Sequence, residues 1–441
     1  MRYPRRLLQR RTLLISVFTT VVSVGAAHAD PGDLDPTFGT GGVAVLPIGT
    51  HAYANAVAVQ SDGKIVAAGY VLNGTSGDML VVRVDSGGVP DPTFGTGGVV
   101  SLPAGSQAIA QAIAIQPSDD KIVVAGGVVI DQDTLEYDFR LARLLPADGQ
   151  LDSGFGTGGI VQSPARSTAP GVNALALQAD GKIVAAGEGK PDPTRLNRDF
   201  LITRYLSDGT PDAAFGTSGS SFVSMGKRLD AARGLALQSD GAIVAAGYST
   251  TPNRANAVVA RLTSDGALDA SYRHGGRRKV RLGKGLNYAV DVQVISGDQA
   301  LIGGVFTSKH DPIPHGKVAV GQLTTSGDLD DTFGNRGVGS AGPDPDTTYH
   351  VSRIAVQNDG KIVAVGDVSP AANTTFDVLI ARFNADGTLD SSFGDGGIVD
   401  SAFGDQDEAF GVALDASGNI VVVGVSYAAG QSRVLIARYL P

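Results

Sequence analysis

Short apolar runs alternate with glycine-rich polar turns along almost the entire chain. In the clearest copy, residues 176–187 place the dipeptide Asp180-Gly181 between two apolar runs, which is a strong signal for a β-hairpin. A third apolar run follows, for example residues 200–205, and leads into a polar turn and a short fourth run. Helical periodicity is nearly missing, so the pattern predicts short strands joined by tight turns.

These runs belong to seven repeats of roughly sixty residues, each marked by an aromatic residue. In every copy an Asp lies three positions before the aromatic residue and a Gly lies four positions after it. The aromatic residues are Phe38, Phe94, Phe155, Phe215, Tyr272, Phe333 and Phe393. An active site is normally needed only once, so sevenfold repetition indicates a structural role. We interpret the Asp as an acceptor in a turn and the aromatic residue as a plug between repeats.

Each repeat supplies four strands, and four-stranded units repeated four to eight times are typical of propeller blades. The chain ends on a third strand at residues 433–439, and the missing fourth strand is found at residues 34–45, here called the clasp. The sequence therefore predicts an all-β fold, a seven-bladed β-propeller of four-stranded antiparallel blades. The N-terminal strand is expected to close the ring by completing the last blade.

The third strand of six repeats carries an arginine, and Gln322 takes its place in the remaining repeat. The arginines are Arg83, Arg143, Arg204, Arg261, Arg382 and Arg438. We expect each arginine to pair with the Asp of the turn between the third and fourth strands. In the clasp, this pair is Arg438 with Asp35.

Two motifs resemble the delta-60 repeat family of bacterial exported proteins. They are Asp-Gly-Lys-Ile-Val-Ala-Ala-Gly at residues 180–187 and Asp-Gly-Thr-Leu-Asp-Ser-Ser-Phe-Gly at residues 386–394. The resemblance implies a propeller-like architecture and no particular activity. The repeat with Tyr272-Arg273-His274 in place of Phe-Gly departs from the motif, so we expect a distorted blade there.

Residues 1–29 have the features of an export signal, with five arginines, a short apolar run and Ala27-His28-Ala29 before Asp30. We therefore expect an exported protein, periplasmic or extracellular, with a single propeller domain at residues 30–441. Without residues 1–29, 30 basic and 44 acidic residues remain, a net charge of −14. This charge disfavours binding to nucleic acid or anionic lipid. The absence of Cys excludes disulfides and thiolate chemistry.

Binding residues tend to lie on loops that a rigid scaffold holds in place. The loops between the second and third strands and the linkers between blades vary most, so we place any site on that face or at the channel mouth. Four histidines fall there, and a zinc site or an acid–base pair is one interpretation of them. They are His51, His310, His315 and His350.

A second candidate is the basic segment that contains Arg277, Arg278 and Lys279 in an otherwise acidic protein. It favours an anionic glycan or another acidic partner, although charges on an outer edge strand also prevent edge-to-edge association. The Asp-Gly turns leave calcium binding open as an alternative to a structural role.

The sequence contains no phosphate-binding loop, no His-Glu-x-x-His and no Gly-x-Ser-x-Gly. We assign no catalytic, cofactor-binding or metal-ligating residue. The leading hypothesis is a non-catalytic, monomeric binding or interaction scaffold for an unknown protein or glycan, without membrane insertion. The alternatives are a lyase or hydrolase with a histidine at the channel mouth, and a structural component of the cell surface.

Overall fold

The computed structural model describes residues 29–441 except for residues 75, 168–170, 193, 195–196, 227–228, 252–253, 308–315, 343, 345–346 and 371–374. Apart from Ala29, the predicted export signal at residues 1–29 lies outside the described residues. The described chain forms seven four-stranded antiparallel sheets. They are blades around a central channel, so the predicted fold class is confirmed.

The blades follow one another along the chain, and the first strand of each lines the channel. The N-terminal strand β1 (Val43–Leu46) belongs to the last blade. Blade 1 contains β2 (His51–Val59), β3 (Ile65–Asn73), β4 (Ser76–Val84) and β5 (Val99–Leu102). Blade 2 contains β6 (Ala108–Ile115), β7 (Ile122–Asp131), β8 (Glu136–Leu144) and β9 (Ile160–Ser167). Blade 3 contains β10 (Val172–Leu177), β11 (Ile183–Gly189), β12 (Asp199–Tyr205) and β13 (Ser220–Val223).

The remaining blades repeat this order. Blade 4 contains β14 (Leu229–Leu237), β15 (Ile243–Thr251), β16 (Arg254–Leu262) and β17 (Arg277–Val280), with the short helix α1 (Arg273–Gly276) before β17. Blade 5 contains β18 (Asn287–Val294), β19 (Ala300–Thr307), β20 (Gly316–Leu323) and β21 (Val338–Ala341). Blade 6 contains β22 (Thr347–Val356), β23 (Ile362–Pro370), β24 (Asp377–Phe383) and β25 (Ile398–Ser401). Blade 7 contains β26 (Gln406–Leu414), β27 (Ile420–Ala428), β28 (Gln431–Tyr439) and β1.

The turns between first and second strands share one face of the ring, the turn face, with the turns between third and fourth strands. In blade 2, Lys121 Nζ from the first of these turns lies 3.2 Å from Asp152 Oδ2 in the other. In blade 6, Lys361 and Asp390 repeat this contact at 3.4 Å. The loops between second and third strands and the linkers between blades emerge on the opposite face, the loop face.

The predicted arginine–aspartate pairs are present in six blades. The pairs are Arg83–Asp91, Arg143–Asp152, Arg204–Asp212, Arg261–Asp269, Arg382–Asp390 and Arg438–Asp35. In blade 5, the Gln322 amide donates to Asp330 Oδ2 at 3.1 Å instead. The Asp also accepts the backbone N–H two residues later, for example from Ala214 to Asp212 at 3.1 Å, so it organises the turn as predicted.

The repeated aromatic residue is a plug between neighbouring blades. Phe215 of blade 3 is fully buried in a cluster with side chains of blades 3 and 4. Its ring lies against Gly266 in the turn of blade 4, where a Cβ would approach Phe215 Cε2 to 2.8 Å. The Arg204 guanidinium covers the ring at 4.6 Å from its centroid and donates to the Ser264 carbonyl of blade 4.

The clasp closes the ring. β1 pairs antiparallel with β28, with Val43 opposite Ala437 and Leu46 opposite Val434. A backbone hydrogen bond of 2.7 to 3.0 Å crosses each of the seven junctions on the turn face. These bonds run from Gly39 to Gly87, Gly95 to Asp148, Gly156 to Asp208, Gly216 to Asp265, Arg273 to Ser326, Gly334 to Asp386 and Gly394 to Pro31. The last junction uses the carbonyl of Pro31, just before the clasp, so the ring is continuous.

The irregular repeat at Tyr272 is altered only locally. Helix α1 replaces the usual turn, and its residues His274 and Gly275 have positive φ values of 54° and 66°. Tyr272 remains 2 % exposed and packs against Gly327 of blade 5, as phenylalanine does in the other blades. Both blades 4 and 5 keep all four strands, so the expected distortion is confined to the turn.

Candidate functional site: the central channel

Every channel-lining strand contains a β-bulge at the same place. In β14, for example, Ala232 pairs with Gly247 and Gly234 pairs with Ala246, so Arg233 is the extra residue. A bulge adds one residue to one strand and re-aims a side chain. The extra residues are Asn55, Gln111, Asn173, Arg233, Val290, Ser352 and Phe410.

These seven bulge residues comprise six residue types, whereas the residue before each of them is a buried Ala or Val. All seven line one chamber of about 510 Å³ in the channel. The regular blades thus present a set of unlike side chains around a single space. This is the arrangement expected when a repeated scaffold carries one non-repeated site.

Two amides on the wall are fixed by the neighbouring blade. Asn55 Nδ2 donates to the Ala110 carbonyl of blade 2 at 2.8 Å, and Asn173 Nδ2 donates to the Ala232 carbonyl of blade 4 at the same distance. Both side chains are buried. Their amide oxygens therefore have defined orientations, which suits recognition of a polar ligand.

Arg233 is the charged member of the bulge set. Its Nη1 donates to Asn173 Oδ1 at 3.3 Å, and its Nη2 donates to the Tyr248 hydroxyl at 3.0 Å. The guanidinium also lies 5.4 Å from the centroid of the Tyr248 ring. Tyr248 packs edge-on against Tyr288 at 5.5 Å between ring centroids, so two tyrosines support this wall.

A second arginine forms the floor of the chamber. Arg353, one residue after the bulge of β22, crosses from blade 6 to donate to the Asn173 carbonyl of blade 3 at 2.9 Å. Below it lies a smaller cavity of about 170 Å³, which shares Gln111, Asn173 and Arg353 with the chamber. Arg353 and Asn173 therefore separate the channel into two compartments.

Asp291 lies beside Arg353 in the lower compartment. Its carboxylate accepts backbone N–H groups from Val292 at 2.8 Å and Ile354 at 3.0 Å. Burial raises the pKa of Asp291, and the charge of Arg353 opposes that rise. Burial lowers the pKa of Arg353, while Asp291 acts in the opposite direction. Asp291 and Arg353 therefore form a pair of opposite charges in which each partner limits the effect of burial on the other.

His350 stands on the chamber wall, where its Nδ1 lies 2.7 Å from Asp367 Oδ2. The hydrogen bond to Asp367 raises the pKa of His350, burial opposes it, and the charges of Asp367 and Glu408 add to the rise. Burial, together with the charge of Asp367, raises the pKa of Glu408. A carboxylate thus orients one nitrogen of a half-exposed imidazole at the wall of a cavity.

The other histidines predicted from the sequence lie elsewhere. His51, at the start of β2, bonds through Nδ1 to the Ser432 hydroxyl at 3.1 Å and joins blades 1 and 7. His310 and His315 lie outside the described residues. Of the predicted histidines that the structure describes, His350 is the one that lines the chamber.

The basic segment forms the outer strand of blade 4, apart from the chamber. Arg277, Arg278 and Lys279 border an open depression of about 590 Å³. Arg278 pairs with Asp328 of blade 5 at 2.9 Å, and Arg277 donates to the Ser224 carbonyl at 3.1 Å. Part of this charge therefore serves contacts within the fold.

Sequence reasoning missed the bulge residues, although a signal for them exists. In six repeats the bulge residue lies seven positions before the first residue of the Asp-Gly turn or its equivalent, and in blade 2 it lies eight positions before Asp119. At this offset the repeats differ, while the small residue before it recurs. Among the described residues, no group of three or more metal-ligating side chains is found, and no described helix is long and apolar enough to cross a membrane.

Five segments match a family model described as "Domain of unknown function (DUF5122) beta-propeller". They are residues 60–94, 118–155, 178–215, 238–272 and 357–393, which together cover less than half of the chain. Each segment ends on the repeated aromatic residue. The chain is similar to this family of propeller repeats. The resemblance to delta-60 repeats stays a prediction, and comparison with curated proteins gave no match.

Solved structures share the fold at low sequence identity. A puromycin hydrolase is 14% identical with a TM-score of 0.50, over 88% of this chain and 54% of that chain. This chain thus spans about half the length of that hydrolase. Sqt1 from Chaetomium thermophilum is 9% identical with a TM-score of 0.46, over 90% and 98% of the two chains. A glucose dehydrogenase is 12% identical with a TM-score of 0.43, over 90% and 99%. At these identities the likeness shows the fold alone.

Proposed function

We propose that this protein is an exported, non-catalytic binding module whose ligand occupies the chamber in the central channel. The observation that carries the proposal is that all seven bulge residues, which break the repeat, line one space. Their variety has no use in building identical blades. Convergence of unlike side chains on a concave space is the usual form of a ligand site.

The size of the chamber favours a small molecule or a short glycan over a protein surface. Its volume of about 510 Å³ falls in the range of roughly 300–1,000 Å³ that is typical of small-molecule pockets. Val290, Val351, Tyr288 and Phe410 supply apolar contacts, and Asn55 is among the residues that supply polar ones. We therefore propose the chamber as the position of the ligand, where the sequence predicted only the loop face or the channel mouth.

Export is part of the proposal. Cleavage after Ala29, as the sequence predicts, leaves the clasp and the residues just before it intact. The contacts of this N-terminal segment with the rest of the ring include those of the Pro31 carbonyl and of the Gly32 N–H, which donates to the Leu440 carbonyl at 3.1 Å. Removal of the basic signal also leaves a strongly acidic protein.

The second candidate function is catalysis, and the orientation of His350 by Asp367 favours it. An imidazole held by a carboxylate at the edge of a pocket is a common arrangement for a general base. The two functions differ in the fate of the bound compound. A binding module returns the compound unchanged, whereas an enzyme converts it and loses this activity on His350→Gln substitution.

Filling the chamber tests the proposal. Ser352 lines the chamber, so Ser352→Trp places an indole in the space that the ligand needs. We expect compounds from a library of sugars, organic acids and amines that bind the wild type, detected by saturation-transfer NMR, to lose binding to Ser352→Trp by about tenfold or more.

The matched control is Ser118→Trp, which places the same side chain in an exposed turn of blade 2. This variant should bind like the wild type. Compounds that bind Ser352→Trp as tightly as the wild type would show that the chamber is not the site.

A further inference from the structure

Arg233 differs from the arginines that pair with aspartate at the blade junctions, because the side chains to which it donates hydrogen bonds are neutral. Its two hydrogen bonds go to the Asn173 amide oxygen and the Tyr248 hydroxyl. Within the described residues, no carboxylate oxygen lies within 4 Å of its guanidinium nitrogens. Arg233 is partly buried, and removing a cation even partly from water without an opposite charge is unfavourable.

The chamber is positively charged. Among the described residues that line it, none is Asp or Glu, whereas Arg233 and Arg353 are both present. Asp291, whose charge acts on Arg353, belongs to the lower compartment, and both of its oxygens accept backbone N–H groups. Asp367 of blade 6 and Glu408 of blade 7 lie near His350, two and three blades away from the blade of Arg233. The region around Arg233 thus keeps a surplus of positive charge inside an acidic protein.

The guanidinium has the shape needed to bind an anion. It carries five N–H groups in a planar fork, and the two hydrogen bonds within the protein use one from each terminal nitrogen. Asn173 is itself fixed by the Ala232 carbonyl, so the guanidinium is held before a ligand arrives. A planar, pre-positioned fork suits carboxylate and phosphate oxygens.

The rest of the chamber suits a ligand whose remaining part is apolar or contains a ring. Blade 7 stands across the seven-bladed ring from blade 4, and its bulge residue is Phe410. Tyr288 borders the chamber next to Tyr248. A molecule anchored at Arg233 therefore meets aromatic surfaces on more than one side.

We propose that Arg233 anchors the carboxylate or phosphate group of a small organic anion whose ring or apolar body packs against Tyr288 and Phe410. The inference rests on the proposed function, since it takes the chamber as the ligand site. Carboxylate and phosphate share the chemistry of an anionic group with several oxygens, and the experiment below distinguishes between the two.

The test compares three probes of similar shape, benzoate, phenyl phosphate and the uncharged benzyl alcohol. Dissociation constants are measured by ligand-observed NMR titration at constant ionic strength. We expect at least one anion to bind the wild type about tenfold more tightly than benzyl alcohol. Arg233→Gln should weaken that anion by about tenfold or more and leave benzyl alcohol within about twofold, and Arg233→Lys should recover part of the loss.

The variant Arg277→Ser/Arg278→Ser/Lys279→Ser controls for anion binding at the outer strand of blade 4 and should bind like the wild type. Equal binding of the anions to Arg233→Gln and the wild type, or no preference of the wild type for either anion, would overturn the inference. Ser352→Trp separates this failure from failure of the proposed function. If Ser352→Trp blocks the probes and Arg233→Gln does not, the chamber remains the site and only the anion anchor is wrong.

Discussion

At the scale of single residues, six of the seven repeated Asp side chains have a pKa that their surroundings lower. Burial alone would raise the pKa of Asp390, but the Ser392 hydroxyl and N–H and the charges of Arg382 and Lys361 lower it to about 2. The equivalent residues Asp35, Asp91 and Asp330 also have lowered pKa values. The same carboxylates therefore build the turns and make the fold sensitive to acid.

The lowered pKa values of these carboxylates predict how the stability of the fold depends on pH. The folded pKa of Asp390 lies below the value of about 3.9 in an unfolded chain, so its contribution is complete above about pH 4 and is lost as the pH falls toward about 2. We expect the free energy of unfolding of the wild type to fall across this window. Asp390→Asn should lower stability at pH 7 and reduce the slope in the window by at most about 1.4 kcal/mol per pH unit.

Urea denaturation followed by circular dichroism at several pH values measures both effects. Asp359→Asn, an exposed carboxylate in the neighbouring turn of blade 6, is the control and should keep the slope of the wild type. An unchanged slope in Asp390→Asn would contradict this account of the turn.

At the scale of the element, the junction between blades depends on the aromatic plug. Phe215 joins the apolar faces of blades 3 and 4 and has no exposed surface. Removing it leaves a cavity between two rigid sheets, and such losses typically cost about 3–5 kcal/mol. We expect Phe215→Ala to destabilise the protein by about this amount, measured by urea denaturation.

Phe222→Ala is the matched control, because Phe222 lies in β13 of the same blade and is 42% exposed. Its loss should cost less than about 1 kcal/mol. Similar costs for the two variants would mean that the repeated aromatic residue does not hold the blades together.

The repeat made the fold predictable from the sequence. Corresponding residues recur at similar spacing in the seven repeats, so the spacing alone predicted the Asp-Gly hairpins, the arginine–aspartate pairs and the clasp. The spacing did not predict the place of Arg233 on the channel wall, because the bulge adds one residue to the strand and so shifts the alternation of inward and outward side chains. His350 was predicted on the loop face, but its orientation by Asp367 depends on the pairing of β22 with β23.

At the scale of the whole molecule, the chamber requires a closed ring. The bulge residues of blades 7 and 1 face the same space as those of the other blades only if these two blades are joined. The join uses Phe38, which packs between blades 7 and 1, and the pair of Arg438 with Asp35. Asp35 and Arg438 are far apart in the chain, so their contact exists only in the closed molecule.

A double-mutant cycle on Arg438 and Asp35 is the most direct measurement of closure. The two residues meet at 2.8 Å, and the equivalent pair within blade 3, Arg204 with Asp212, meets at 2.9 Å. We expect both cycles, Arg438→Ala with Asp35→Ala and Arg204→Ala with Asp212→Ala, to give coupling energies of about 1–3 kcal/mol. Coupling between Arg204 and Asp212 without coupling between Arg438 and Asp35 would contradict the closed ring on which the chamber depends.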